Sequence, residues 1–265
     1  MQTSIVLSHD NSINKNNLVK NLFENKICNK YIISRNNRNN RNIFKIKKLI
    51  FPPIDNHKLT NILIDDESFK FITFHNIAQE ITDIIMVNLT DFPCPTADIE
   101  FWKNKLLKER MKELVITEMT AGVGGNVLNF AKYFKYVNAI EINELRYKYL
   151  NNNIKIYQYD NVNCYHSDAL ILLLDHDDLN QDIIFFDPPW GGKDYKLYNN
   201  LKLTFNNSPI ENICKKLLMR KTNKMLVLKL PNNYDFLFFE NELCMYRISR
   251  HKLYKMTIVI VKNYD

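Results

Sequence analysis

Short apolar runs separated by amphipathic segments recur through the second half of the chain. Five runs are predicted to be strands, at residues 114–116, 137–140, 162–166, 183–186 and 225–230. The run at 183–186 is apolar at every position, which is typical of a parallel strand buried on both faces. Apolar residues at helical spacing lie between several of these runs. Strands that alternate with helices predict an α/β chain with a doubly wound parallel sheet.

The segments on either side of these strands give further predictions. Two strands, at residues 243–248 and 256–261, are expected to pair as an antiparallel hairpin at one end of the sheet. Residues 44–51 alternate loosely between apolar and basic side chains, which predicts a short strand. Apolar side chains fall on one stripe over residues 77–85 and predict a helix, and the spacing over 99–110 predicts another.

Glycine is confined to two loops of the predicted fold. The chain has only five glycines in 265 residues, whereas ordinary usage of about 7% would give roughly 19. Gly122, Gly124 and Gly125 follow the first predicted strand, and Gly191 and Gly192 come soon after the fourth. Glycine is needed where φ is positive or where the backbone approaches another group closely. We therefore expect one site built from these two loops.

The first glycine loop has the context of a nucleotide-binding unit. It lies between a predicted strand and a predicted helix, which is the opening of a Rossmann-like fold. Glu141 ends the next strand and follows Gly124 at close to the spacing of about 20 residues at which a carboxylate meets ribose hydroxyls. Asp168 and Asp187 also follow predicted strands. Ligands of such sheets bind at the C-terminal ends of the strands.

The net charge of +7 is unevenly distributed. Residues 1–60 contain 11 lysines and arginines but only three acidic residues, so the basic excess lies wholly in this part. A basic segment of this kind suits a polyanion such as RNA. The alternative is a general abundance of lysine and asparagine in the chain.

Several classes of protein are excluded or disfavoured by the sequence. No run approaches the roughly 18 consecutive apolar residues of a membrane span, and the N-terminus lacks the pattern of a signal peptide. The five cysteines are widely spaced without CxxC, and no cluster has metal-ligand spacing. We expect a monomer in a reducing intracellular compartment, cytoplasmic or nuclear, with neither a membrane nor a metal as partner.

The tetrapeptide Asp187-Pro188-Pro189-Trp190 suggests the chemistry. The exocyclic amine of a base is a poor nucleophile, because its lone pair is delocalised into the ring. A carboxylate or an outward-facing carbonyl before proline can accept its hydrogen bonds and orient it toward a methyl sulfonium. An aromatic side chain such as Trp190 can hold the flat base by stacking. The motif and its place after the glycine loop predict an amino-methyltransferase that uses S-adenosylmethionine, the alternative being a simple turn.

Three motifs carry a resemblance to a known family. They are G-V-G-G-N at residues 122–126, P-P-W-G-G-K-D-Y at 188–195 and L-P-N-N-Y-D at 230–235, with a looser match at 71–81. With these motifs the chain resembles the trimethylguanosine synthases, which are RNA cap guanine-N2 methyltransferases. The resemblance covers about residues 70–262 and implies a class I methyltransferase domain at residues 66–265, S-adenosylmethionine as cofactor, and RNA with a 7-methylguanosine cap as partner. The basic N-terminal extension at 1–65 shows no motif match to the family, and its charge alone suggests that it contacts RNA or substrate.

The residues and the resemblance together give a set of candidate site residues. The catalytic candidates are Asp187, Pro188 and Trp190. The cofactor-binding candidates are Thr73, Glu118, Thr120, Gly122, Gly124, Asn126, Glu141, Asp168 and Asp187. The substrate-binding candidates are Trp190, Lys193, Tyr195 and Asn233. For Lys193 the alternative is a solvated side chain, and for Asn233 it is a cap on a turn.

Two alternative functions stay open. Asp187 stands where the resembled family has serine, and aspartate is general to base amino-methyltransferases. An uncapped base in rRNA, tRNA or DNA is therefore a second candidate substrate. A non-catalytic RNA-binding subunit is a third possibility, although it would be expected to show a broken glycine loop or catalytic loop. The sequence leaves open which RNAs are used and whether one or two methyl groups are added.

Overall fold

A sheet of seven strands lies at the centre of this computed structural model, which describes residues 40–89, 106–176, 179–220 and 223–264. The strands are β1 (Val115–Glu118), β2 (Tyr136–Glu141), β3 (Val162–His166), β4 (Ile183–Phe186), the short β5 (Thr204–Phe205) and β6 (Ser208–Pro209), which pair only with each other, β7 (Met225–Pro231), β8 (Arg247–Leu253) and β9 (Met256–Lys262). Their order in the sheet is β3-β2-β1-β4-β7-β9-β8. The first five are parallel, and β9 is antiparallel to both neighbours.

Helices connect most of the strands. They are α1 (Asn40–Ile50), α2 (Asn56–Thr60), α3 (His75–Val87), α4 (Val127–Phe130), α5 (Glu144–Tyr157), α6 (Ile210–Leu218) and α7 (Phe236–Glu242), with 3-10 helices at Ser68–Lys70 and Asp194–Leu197 and a π-helix at Ile171–His176. Helix α3 contains the predicted helix at residues 77–85. Of the helix predicted at 99–110, residues 99–105 lie outside the described residues, and 106–111 are helical.

The central strand β4 shows how the two faces of the sheet are covered. All four of its residues are buried, and successive side chains point to opposite faces. On one face Phe185 contacts Phe130 of α4 edge-on, at 5.3 Å between ring centroids. On the other face Phe186 lies in an apolar cluster with Ile213 and Leu217 of α6. Helices on both faces confirm the predicted Rossmann-like, doubly wound architecture.

The strand predicted at residues 44–51 is wrong, because helix α1 extends to Ile50. The apolar side chains Ile43, Ile46 and Ile50 recur three and four residues apart, which is helical spacing. The alternation with lysine that suggested a strand is a by-product of this spacing.

The strand predicted at residues 243–248 is displaced. Helix α7 ends at Glu242, and β8 begins only at Arg247 and includes the polar residues 249–251, which were expected to connect two strands. Because β8 is an edge strand, it has one neighbour and presents polar side chains to water, so its apolar content is low. The predicted antiparallel hairpin itself is confirmed, with Leu253 opposite Met256 at its turn.

The topology places the site between β1 and β4. The chain proceeds from β1 to β3 in one direction across the sheet and continues with β4 on the other side of β1. The loops after β1 and β4 begin side by side at this point and then lead away in different directions. Where they begin, the Thr120 hydroxyl donates to the carbonyl of Asp187 at 3.0 Å and holds them together. In doubly wound sheets this point of divergence is where ligands bind.

Candidate active site

A cleft lies at the C-terminal ends of β1 and β4. Its space of about 310 Å³ is partly open to solvent. It is lined by Ser68, Phe71, Ile72, Thr73, Glu118, Thr120, Ala121, Gly122, Val123, Gly125, Asn126 and Asp187. The structure thus brings together most of the residues predicted to bind the cofactor. The predicted site residues did not include Ser68, Phe71 or Ile72. The looser family match at 71–81 begins with Phe71 and Ile72 and could have indicated them, whereas Ser68 carries no motif.

The glycine loop serves both as a tight turn and as a packing surface. Gly124 has φ +103°, a conformation that other residues rarely adopt, and it is not part of the cleft lining. At Gly125 an added Cβ would lie 2.8 Å from Cγ1 of Ile72 and 2.9 Å from the carbonyl oxygen of Thr73. The segment containing Ile72 and Thr73 therefore packs directly on the loop and forms one wall of the cleft.

Glu118 and Asn126 place buried acceptors in the cleft lining. Burial raises the pKa of Glu118 to about 8; the charge of Asp187 adds to this effect, while the Asn126 amide and the Lys229 ammonium oppose it. Asn126 donates to Oε1 of Glu118 at 3.0 Å. Within the described part of the chain, the other oxygen of Glu118 and the Asn126 carbonyl oxygen have no hydrogen-bond partner. A ligand with an ammonium group would satisfy both oxygens and, by its charge, would favour the ionised form of Glu118.

Glu141 connects β2 with the glycine loop. One carboxylate oxygen accepts from the backbone N–H of Gly122 and the other from that of Asn143, both at 2.8 Å. The side chain is thereby fixed next to Gly122, which lines the cleft, although Glu141 itself is not part of the lining. Each carboxylate oxygen has a further lone pair, so the predicted hydrogen bond to a ribose remains compatible with this arrangement.

Asp187 forms an ion pair that the sequence did not reveal. The Lys229 ammonium donates to Oδ2 of Asp187 at 2.5 Å and to the Thr73 hydroxyl at 3.0 Å. Burial raises the pKa of Asp187, and the charge of Lys229 lowers it. A possible signal was present: Lys229 is the one charged residue of β7, a strand with all seven residues buried. Buried lysines are almost always paired.

Trp190 is held against the same lysine. Its indole Nε1 donates to the Lys229 carbonyl at 3.2 Å, and the Lys229 ammonium lies 5.6 Å from the ring centroid. Tyr195 contacts the indole edge-on, at 5.3 Å between centroids. The side chain of Asn233 donates to the carbonyls of Tyr195 and Tyr198, both at 2.7 Å. Asn233 therefore holds the loop after Trp190 in place, which favours its interpretation as a turn cap.

The remaining predicted residues lie around the cleft. Asp168 is not part of its lining, and its carboxylate accepts from the backbone of Leu170 at 2.8 Å and from the Asn206 amide at 2.5 Å. Pro188 is buried and Lys193 is exposed. In the described ranges no group of three or more His, Cys, Asp or Glu residues is arranged to hold a metal ion, and none of the described helices is long and apolar enough to cross a membrane.

The chain is similar to a viral protein in sequence and to several solved structures in fold. A protein of Acanthamoeba polyphaga mimivirus, named "Uncharacterized protein L320", is 57% identical over 244 residues, which are 92% of this chain and 95% of that protein. Among solved structures, the T. thermophilus 16S rRNA N2 G1207 methyltransferase in complex with AdoMet and guanosine has a TM-score of 0.48 at 14% identity and covers 66% of this chain. The chain spans 45% of that enzyme. The hMettl16 catalytic domain in complex with an RNA hairpin has a TM-score of 0.45 at 14% identity, covering 65% of this chain and 73% of that one.

The family profile described as "RNA cap guanine-N2 methyltransferase" matches residues 113–263. The match extends from the residues before β1 to the residue after β9, so it includes the whole central sheet and both loops of the cleft. Because it covers more than half of the sequence, the chain belongs to the RNA cap guanine-N2 methyltransferase family.

Proposed function

We propose that this chain transfers a methyl group from S-adenosylmethionine to the exocyclic N2 amine of the 7-methylguanosine cap of an RNA. The observation that supports it most directly is the position of Asp187. Its carboxylate lines the cleft at the end of β4, and Pro188 and Trp190 follow it. A hydrogen-bond acceptor and an aromatic ring are what a base amine needs for orientation next to a methyl donor.

The residues of the cleft fit S-adenosylmethionine, which supplies an electrophilic methyl group on a sulfonium. Its amino-acid end carries an ammonium, and the unpartnered oxygens of Glu118 and Asn126 are buried acceptors for such a group. Glu141 is fixed next to Gly122, where its carboxylate can accept from ribose hydroxyls. Gly122 and Gly125 of the loop present only backbone to this space.

Asp187 has two tasks in the proposed reaction. It accepts a hydrogen bond from the amine, which aligns the nitrogen lone pair for attack, and it can take the proton that the amine loses when it is methylated. The Pro188 ring removes one backbone N–H donor from the loop. Trp190 provides the stacking surface, and its contacts with Lys229 and Tyr195 fix the plane of the indole.

The capped RNA requires contacts beyond the base. Lys193 and the basic residues of the proposed N-terminal extension (1–65) are suited to the triphosphate bridge and to the RNA backbone, because phosphate contacts from lysine and arginine provide most of the salt-dependent affinity. Lys193 is exposed and lies three residues after Trp190. Tyr195 is half-buried against Trp190 and supports the base-binding surface.

Mass spectrometry of cap dinucleotides tests the proposal. Incubation with S-adenosylmethionine and a dinucleotide bearing 7-methylguanosine should increase its mass by one or two methyl groups. The same dinucleotide with 7-methylinosine in place of 7-methylguanosine lacks only the N2 amine and should remain unmodified. Methylation of the inosine analogue at the same rate would place the reaction at another atom.

A second candidate function is favoured by Asp187, which stands where the resembled family has serine. This function is methylation of an amine on an uncapped base in rRNA, tRNA or DNA. Equal use of 7-methylated and unmethylated cap dinucleotides would support it over the cap function. A non-catalytic RNA-binding role is less consistent with the structure, because the cleft and both of its loops are intact.

The proposed cofactor contact of Glu141 leads to a prediction. Glu141→Ala should weaken binding of S-adenosylmethionine by about 1–3 kcal/mol, as expected for a lost hydrogen bond to a charged group. Isothermal titration calorimetry measures this change. Glu144→Ala is a matched control, because Glu144 is exposed and pairs with Lys148 on the surface of α5. Equal affinities for wild type and Glu141→Ala would remove Glu141 from the site.

A further inference from the structure

Lys229 contacts three residues of the proposed active site. Its ammonium contacts Asp187 from the loop after β4 and Thr73 from the wall of the cleft, at 2.5 and 3.0 Å. Its backbone carbonyl accepts from the indole of Trp190, whose ring also lies beside the ammonium. The lysine side chain is only 6% exposed. A buried charge in such a position is costly unless it is paired, so its presence in an otherwise apolar strand calls for a function.

The effect of this lysine falls mainly on the charge of Asp187. Burial favours the neutral form of the Asp187 carboxyl, and a charge on Asp187 raises the pKa of Glu118 at the end of β1, so the two carboxyl groups repel each other when both are ionised. Glu141, from the end of β2, acts on Glu118 in the same sense. Among the described residues, Lys229 is the cation that opposes these influences on Asp187. Without it, an aspartic acid in this position would carry a proton more readily.

The two charge states of Asp187 offer different hydrogen bonds. The ionised carboxylate only accepts, whereas the protonated form both donates and accepts. Guanine presents two adjacent donors, the N1–H and the N2 amine, and these match an acceptor-only carboxylate. Adenine presents the N6 amine beside the N1 acceptor, which matches a protonated carboxyl. The charge of Asp187 therefore distinguishes the two bases by their edges.

We propose that Lys229 is a positioning residue that keeps Asp187 ionised and thereby selects guanine over adenine at this site. Because Lys229 occupies Oδ2 of Asp187, Oδ1 is left for the base, and its two lone pairs can accept from both donors of guanine. The proposal rests on the proposed function insofar as the substrate base is guanine. The charge of Asp187, however, is a property of the protein alone and can be measured without any substrate.

The charge is measured by carbon NMR of the full chain labelled at aspartate carboxyl carbons. Loss of one resonance in Asp187→Asn identifies the signal of Asp187. In the wild type this signal should be that of an ionised carboxylate at pH 7. In Lys229→Met, which keeps the length of the side chain but removes the charge, the midpoint of the Asp187 titration should rise by at least about one pH unit. An unchanged midpoint would overturn the proposal.

The selectivity is measured by single-turnover methylation of guanosine and adenosine dinucleotides at saturating S-adenosylmethionine. One pH unit below the Asp187 midpoint of Lys229→Met, about a tenth of Asp187 is ionised, so this variant should methylate guanine there about 10-fold more slowly than at high pH and should recover as the pH rises. At pH 7, the ratio of the guanine rate to the adenine rate should be smaller for Lys229→Met than for the wild type. A rate loss that is the same at every pH would indicate a purely structural lysine and contradict the proposal.

Two further variants make these outcomes interpretable. Lys224→Met is the matched control, because Lys224 pairs with Asp182 at 2.6 Å but is exposed and lies at the opposite end of β4. Its methylation rates and their pH dependence should equal those of the wild type. Any pH dependence that Glu118 contributes should therefore be the same in both proteins. Lys229→Gln keeps a hydrogen-bond donor without the charge and replaces Lys229→Met if that variant does not fold. If the wild type methylates no guanine substrate, the proposed function fails, while the NMR titration still decides the charge of Asp187.

Discussion

Asp187→Asn is expected to reduce the single-turnover rate of methyl transfer by roughly 100- to 10,000-fold, the range typical of a lost proton acceptor. Asparagine keeps the shape of the side chain but cannot take a proton from the amine. Its NH₂ group would also face the Lys229 ammonium or the amine of the base, and both are donors. Because the interaction matters most as the amine attacks, affinity for S-adenosylmethionine and for capped RNA should change much less than the rate.

The same strand offers the control for this variant. Asp182 lies directly before β4, and Asp187 lies directly after it. Asp182 pairs with Lys224 at 2.6 Å. Asp182→Asn removes an aspartate–lysine pair at the end of the strand remote from the cleft, so its rate should match that of the wild type. A rate for Asp187→Asn within about threefold of the wild type would show that Asp187 does not act on the reacting amine. Thermal unfolding of both variants separates an effect on the reaction from an effect on the fold.

The sequence was sufficient to predict the parallel part of the central sheet because most of its strands are buried. A strand such as β4 (Ile183–Phe186) has no polar face, so its apolar run is visible without any knowledge of its neighbours. The low glycine content made the two loops equally visible, since glycine persists where backbone conformation or close packing requires it. The structure gives such reasons for Gly124 and Gly125.

The predictions failed where the pattern depends on tertiary context. In α1 the apolar residues alternate with lysines over a few positions, as in a strand, and also recur three and four positions apart, as in a helix. The short alternation therefore hid the helical spacing. In β8 the outward-facing residues are polar because the strand lies at the edge, so the apolar content that marks a strand was missing.

Lys229 shows a different limit of prediction from sequence. Its partner Asp187 is 42 residues away, and Thr73 is 156 residues away. The sequence shows a lysine inside an apolar strand. Only the fold shows that β7 lies next to β4 and brings the ammonium to the loop after β4 that begins with Asp187. The sequence could therefore indicate that Lys229 needs a partner, although it could not identify which one.

Trp190→Ala is expected to weaken binding of a 7-methylguanosine cap by about 1–3 kcal/mol, which is the contribution of stacking between a base and an aromatic ring. The indole is already fixed by its hydrogen bond to the Lys229 carbonyl and by the edge of Tyr195, so little ordering is needed when the base binds. Trp190→Phe should retain part of the affinity, because a ring face survives but the hydrogen bond to Lys229 is lost. Fluorescence titration with cap dinucleotide measures the binding.

The preference for the 7-methylated base tests the role of Trp190 in the proposed function. The 7-methylguanine ring is cationic, and a cation gains roughly 0.5–2 kcal/mol over a neutral ring when it stacks on an aromatic face. Because the Lys229 ammonium already lies 5.6 Å from the indole centroid, we expect a gain at the lower end of this range. Wild type should bind the 7-methylated dinucleotide more tightly than the unmethylated one, and Trp190→Ala should lose most of that difference. Tyr136→Ala is the control, since Tyr136 is an exposed aromatic residue at the N-terminal end of β2, away from the cleft. If Trp190→Ala retains the full preference for the 7-methylated dinucleotide, the cap base does not stack on Trp190.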